Sequence, residues 1–132
     1  MTTLRTHAVL DHDADTVWKL VRDAGNVADW FPAMTGSSIE GSLRRVTLAD
    51  GSVIEEVIVA SDDSLRRLQY RARAGDLPIA DHLGTVDVIE LDPGRSILIY
   101  STDIAPAELA RAFDGAISEA VGALNEFLSR RG

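Results

Sequence analysis

The sequence predicts an α+β fold: an antiparallel sheet of about six or seven strands, one long C-terminal helix lying across it, and two short helices after the first strand. Three observations carry this prediction. Between Ile39 and Asp103, β-rich runs alternate with turn clusters at short intervals, the rhythm of an antiparallel meander. After Pro106 the apolar spacing changes to a helical one that lasts to about Arg131. A helix that long cannot sit beside one strand and must lie across a sheet, and a sheet with helices on one face is an α+β architecture.

The elements follow in chain order. Residues 2–10 are rich in β-formers and read as a first strand. Asp13 is a candidate N-cap for a short helix whose apolar face is Ala14, Val17, Trp18 and Val21, spaced i, i+3, i+4, i+7. Gly25-Asn26 is expected to end it, and a second short helical segment over residues 27–31 stops at Pro32. Residues 43–48 form a strand before Asp50-Gly51, the strongest hairpin signal in the chain. Residues 53–60 follow, then a turn over residues 61–64, and a strand over residues 65–74. A loop at residues 75–78 leads to residues 80–91, and Asp92-Pro93-Gly94 turns the chain into residues 96–103. Pro106 suits the first turn of the long helix, with Glu108 early and Arg130 and Arg131 late, as the macrodipole favours. Its span of about 25 residues corresponds to about 38 Å. Leu109, Phe113, Ile117, Val121, Leu124 and Leu128 make its apolar stripe.

Composition narrows the function classes. A chain of 132 residues makes one domain with one core. A formal net charge of −8 argues against nucleic acid and against an anionic membrane surface, both of which call for a basic face. The absence of cysteine excludes disulfides, thiol nucleophiles and zinc-thiolate sites. His7 and His12 have no ligand spacing to His82, so no metal site is expected. No apolar run is long enough for a membrane span, no signal-peptide pattern opens the chain, and a cytoplasmic location is expected. Phosphate-binding glycine loops and a nucleophile elbow are likewise missing.

Several segments resemble one family in their order and spacing. Val17-Trp18 resembles the VW of the first helix in the START-like superfamily, also called Bet v 1-like or SRPBCC, and Asp29-Trp30-Phe31-Pro32 resembles its W-x-P segment. Asp50-Gly51, Glu56, Asp62-Asp63, Tyr70, Leu77-Pro78 and the run from His82 to Val88 follow the pattern dG…E…DD…Y…P-x-P…Y-x-A-T-x-x-V of its bacterial polyketide cyclase/dehydrase branch. The resemblance covers nearly the whole chain. It implies a helix-grip fold, in which a curved antiparallel sheet wraps around the C-terminal helix, and one ligand-binding domain over residues 1–132. It also implies a cavity between sheet and helix for a hydrophobic small molecule, with no cofactor. The chain departs from the pattern at four points. His82 stands at a usual tyrosine, Gly84 at an alanine, Tyr100 at a tryptophan and Ile104 at a phenylalanine.

Turn positions set strand register, so cross-strand neighbours follow from them. A two-residue Asp50-Gly51 loop places Arg45 opposite Glu56. A turn on Asp62-Asp63 brings Glu56 near Tyr70, and a loop near Asp76 brings Tyr70 near His82. Across the last hairpin Gly84 falls near Thr102 and Val86 near Tyr100. The expected inner row is therefore Arg45–Glu56–Tyr70–His82. Alternation puts Tyr70 and His82 inside, whereas the strand over residues 53–60 reads alike on both faces and the resemblance selects Glu56.

Two functions follow. The first is binding of a lipid-like, aromatic or polyketide-type molecule, with Trp30, Phe31, Arg45, Tyr70, His82, Gly84, Val86, Tyr100, Thr102, Phe113 and Ile117 around it. Gly84, Ala72, Ala116 and Ala120 would leave the space. The second is an enzyme of cyclase or dehydratase type, in which a hydrogen-bonded Glu56–Tyr70–His82 set moves protons and His82 titrates nearest neutrality. Each residue also has a plainer reading. His82 can be a strand-end residue bonded to backbone, Arg45 and Glu56 a rim ion pair, Trp18 and Trp30 core, and the tyrosines ordinary β residues.

Overall fold

The structure, a computed structural model, describes residues 1–131. Strand β1 (Thr2–Leu10) alternates in exposure along its length, as its β-formers require. Asp13 then caps helix α1 (Ala14–Arg22), its carboxylate accepting the Thr16 N–H at 3.0 Å, and the predicted stripe of Ala14, Val17, Trp18 and Val21 is buried. Asp15 in the first turn and Lys19 and Arg22 in the last suit the helix dipole. A 3-10 segment follows over Ala24–Asp29, with Asn26 off helical angles in its middle. Gly25-Asn26 therefore lies inside the second helical segment, and α1 ends earlier, at Arg22.

Six more strands complete one antiparallel sheet: β2 (Met34–Glu40), β3 (Leu43–Leu48), β4 (Val53–Asp62), β5 (Arg67–Gly75), β6 (Asp81–Asp92) and β7 (Arg95–Ala105). Their order is β1-β7-β6-β5-β4-β3-β2, so each hairpin neighbour in sequence is a neighbour in the sheet and β1 returns to pair with β7. Most of β2 goes unannounced in the sequence. Its Gly36, Ser37 and Ser38 are poor strand formers, and it exists as an edge strand through its ladder to β3. The turn between β4 and β5 is anchored to α1, where the Trp18 indole donates to Asp63 at 2.8 Å and Arg22 pairs with the same carboxylate at 3.3 Å.

After one 3-10 turn at Ala107–Leu109, helix α2 (Ala110–Arg131) runs 22 residues, or about 33 Å, across the concave face of the curved sheet. The whole is a helix-grip fold. Burial along α2 is uneven. Ile117, Ala120, Val121, Leu124 and Leu128 are buried against the core, yet before Ile117 no residue of the helix is buried. The C-terminal part of α2 is buried against the core, whereas its N-terminal part stands higher and reaches the sheet through Phe113, whose ring lies 5.9 Å from that of His82. The space beside that contact positions the site. Among the described residues no helix is long and apolar enough to cross a membrane.

Candidate functional site

Beneath the raised part of α2 lies a cavity of about 450 Å³. Its wall is mainly apolar, with Leu109 from the 3-10 turn, Phe113 and Ile117 from α2, Phe31 and Met34 from one end, and Ile54 from the sheet. Glu56, Tyr70, His82 and Thr102 give it a polar side on the sheet. No lysine or arginine lines it, and Asp50 stands at its margin.

The register of the strands decides which polar groups meet. The β3–β4 connection is a three-residue loop, Ala49-Asp50-Gly51, closed by the Leu48 N–H donating to the Ser52 carbonyl at 2.8 Å, with Gly51 at φ +87°. A three-residue hairpin with glycine in the left-handed region shifts the pairing by one residue from a two-residue turn. Arg44 therefore faces Glu56, and Arg45 faces Glu55. This corrects the expected Arg45–Glu56 pair. Arg45 lies on the outer face, bonded to Glu55 at 2.9 Å, and takes no part in the cavity wall. One step of register exchanged the two faces of the strand.

Two further shifts reshape the expected row. Irregularities in β4 set Glu56 opposite Ala72 and Tyr70 opposite Ile58, and the longer β5–β6 connection sets Tyr70 opposite Gly84. The His82 ring instead reaches Ala72, whose N–H donates to Nδ1 at 3.0 Å. The inner row is thus Arg44–Glu56–Ala72–His82, with Ile104 opposite His82 on β7. Tyr70 belongs to the next row, Tyr70–Gly84–Thr102, although its ring still lies 5.4 Å from that of His82. The pairings Gly84–Thr102 and Val86–Tyr100 are as the last hairpin predicts.

Arg44 is 2% exposed and Glu56 4%. The guanidinium Nε donates to Glu56 Oε1 at 2.8 Å, and another of its nitrogens donates to the Ala24 carbonyl at 3.1 Å, joining sheet to 3-10 segment. Its third nitrogen has no partner among the described residues, and the group sits 4.5 Å from the centroid of the Tyr70 ring. Burial works against the Arg44 charge, but Glu56 holds its pKa above the ordinary value. Burial likewise pushes the Glu56 carboxyl up, and Arg44 pulls it back down.

The Tyr70 hydroxyl is hydrogen-bonded to that of Tyr100. Burial raises the Tyr70 pKa well above the ordinary phenol value and that of Tyr100 to about 12. His82 is 2% exposed and its pKa falls to about 4, first because burial disfavours the imidazolium and then because Arg71 and Arg44 add positive potential. An Nδ1 that accepts from a backbone N–H leaves the proton of the neutral ring on Nε2. The hydrogen-bonded Glu56–Tyr70–His82 set is therefore corrected. Glu56 bonds Arg44, Tyr70 bonds Tyr100, and His82 bonds Ala72.

Of the residues expected around a ligand, Phe31, Tyr70 and His82 line the cavity, as do Thr102, Phe113 and Ile117. Trp30, Gly84, Val86 and Tyr100 do not. Trp30 is buried beside Phe31, with ring centroids 5.9 Å apart, and its indole N–H has no partner among the described residues. Val86 and Tyr100 are core. The space above Gly84 is filled, because a Cβ there would stand 2.4 Å from Cζ of Tyr70. Ala120 is core as well, and of the small residues expected to open the cavity Ala116 does so. Arg44 escaped sequence reasoning because both Arg44 and Arg45 face a glutamate in one register or the other. Ile54 and Leu109 carried the signal of apolar alternation and helical stripe.

Comparison with known proteins agrees with this architecture. The family model for polyketide cyclase / dehydrase and lipid transport matches residues 1–130. Among solved structures, the protein XoxI from Bacillus cereus is similar with a TM-score of 0.91 at 24% identity, over 100% of this chain and 99% of that one. A START superfamily protein from Mycobacterium smegmatis gives 0.82 at 16% identity, over 98% and 99% of the two chains. The Zhui aromatase/cyclase from a Streptomyces species gives 0.73 at 17% identity, over 96% and 90%. No curated protein matches the chain. With the family model spanning nearly all of its length, the chain belongs to the polyketide cyclase / dehydrase and lipid transport family, a branch of the START-like, Bet v 1-like superfamily.

Proposed function

We propose that residues 1–132 form one ligand-binding domain that holds a hydrophobic small molecule, lipid-like, aromatic or polyketide-type, between the sheet and the raised part of α2. The supporting observation is the cavity itself: about 450 Å³, largely apolar, with a few polar groups on one side. That is the usual make-up of a small-molecule site. At about 30 Å³ of liquid per water it has room for about fifteen waters' volume of ligand. Displacement of an apolar fluorescent dye tests the reading. Ala116→Trp fills the cavity from the helix side and is expected to weaken dye binding at least tenfold while the fold persists. Unchanged dye affinity in that variant refutes the proposal.

The enzymatic alternative, a cyclase or dehydratase working through Glu56, Tyr70 and His82, ranks second. Its three groups do not form a relay, and a phenol with a strongly raised pKa bonded to another phenol is a poor proton donor or acceptor near neutrality. The observation in its favour is the neutral His82 ring at the cavity wall, whose Nε2–H can polarise a carbonyl.

A further inference from the structure

We propose that the cavity selects a neutral, otherwise apolar molecule carrying a carbonyl oxygen, received jointly by the Nε2–H of His82 and the hydroxyl of Thr102. The inference rests on the binding reading above and adds the ligand's polar chemistry to it.

Hydrogen-bond accounting on the polar wall leads there. Thr102 is 1% exposed, and its hydroxyl has no partner among the described residues although the residue lines the cavity. A buried hydroxyl without a partner is costly, and a polar ligand atom drawn against this wall would relieve that cost. His82 lines the same wall with Nδ1 committed to the Ala72 N–H, so what it offers is a donor on Nε2. The two residues are diagonal neighbours on adjacent strands. Gly84 pairs with Thr102 and His82 is two residues from Gly84 on the same face, a diagonal relation that long side chains bridge. Two donors on one wall of an apolar cavity suit an acceptor with two lone pairs, which a carbonyl oxygen supplies.

Charge excludes the neighbouring ligand classes. A carboxylate would enter a wall without a lysine or arginine, because the one buried guanidinium nearby, Arg44, lies outside the lining and is bonded to Glu56 and the Ala24 carbonyl. It would meet Glu56 and Asp50 there instead. An ammonium group at His82 would meet a ring that offers only a donor, with Glu56 already bonded to Arg44 and the positive potential of Arg71 and Arg44 outweighing Asp81 and Asp103. Removing either ion from water without a partner is far costlier than removing a ketone.

A matched naphthalene series tests the proposal by calorimetry: acetylnaphthalene, its hydrocarbon isostere ethylnaphthalene, naphthoate and naphthylmethylamine. The ketone is expected to bind about tenfold tighter than the hydrocarbon, and both more tightly than either ion. Its carbonyl stretch is expected to move to lower frequency on binding. His82→Phe keeps an aromatic ring without the donor, but leaves the Ala72 N–H unpaired. Thr102→Val keeps shape and every existing hydrogen bond. In Thr102→Val the ketone preference and the frequency shift are expected to shrink while ethylnaphthalene binds as before. Equal binding of ketone and hydrocarbon, tightest binding of the acid or amine, or a preference untouched in both variants overturns carbonyl selection and leaves the binding reading standing. If none of the four binds, both proposals fall.

Discussion

Acidification should destabilise the protein through His82, and the size of the effect follows from the ring's surroundings. Unfolded, the imidazole titrates at the ordinary 6.5, while folded it titrates at about 4, because it is buried and faces Arg71 and Arg44. Asp81 and Asp103 act in the opposite direction and do not offset these effects. Above 6.5 neither state carries the proton and His82 adds no pH dependence. As pH falls below that value the unfolded chain takes up a proton that the folded one refuses, and stability drops until about pH 4. At about 1.4 kcal/mol per pKa unit the loss amounts to roughly 3 kcal/mol. His82→Asn isolates it, since an amide oxygen can take the Ala72 N–H in place of Nδ1 but does not titrate. Urea unfolding of both proteins, followed by the emission of Trp18 and Trp30, gives the two stabilities across this range. Asp13, Asp50, Asp62, Asp63 and Asp92 are held below 3.8 by their hydrogen bonds and titrate beneath the window. Burial-raised Glu56 acts with the opposite sign in both proteins. The stability difference between wild type and variant should therefore shrink steadily between 6.5 and about 4. Parallel curves would falsify the reasoning, because they would mean that the folded ring protonates as easily as a free one.

Three other outcomes test the packing around the site. Arg44→Met strands the Glu56 carboxylate and frees the Ala24 carbonyl, and should cost about 3–5 kcal/mol in denaturant unfolding. Adding Glu56→Gln should recover part of that loss, and a cost below about 1 kcal/mol would contradict the buried pair. Thr102→Val should instead stabilise the empty protein by about 1 kcal/mol, seen as a raised Tm, since it deletes an unpartnered hydroxyl without changing shape. Asp13→Ala removes the cap on Thr16 and should cost about 1 kcal/mol, whereas no change in the unfolding midpoint would show that α1 is held by packing alone.

Much of the fold was legible because its signals are long. Trp18 and Val21 at helical spacing, the alternation from His82 to Val88, and the stripe from Ile117 to Leu128 each repeat a period several times, so one odd residue does not hide them. Most of β2 was not legible, since Gly36, Ser37 and Ser38 have neither alternation nor β-propensity and owe their conformation to β3. The site was harder still. Which arginine meets Glu56 depends on whether one loop holds two residues or three, and Asp50-Gly51 suits both lengths. Tyr70 and His82 do come together, but as neighbours in adjacent rows rather than opposite partners. The thing that defines the cavity, the raised position of α2 before Ile117, is a property of packing that no local pattern records.

The glycine under Tyr70 lowers the floor of the cavity. With alanine at that position, as the family pattern has it, the methyl would lie 2.4 Å from the phenol carbon, against the 3.5 Å or so of ordinary carbon contact. The ring would then have to ride about 1 Å higher above the sheet. Glycine lets it sink, drawing its hydroxyl back to Tyr100 and away from the space beneath the helix. The depth available to a guest is thus set from behind the wall, by a residue the guest never touches.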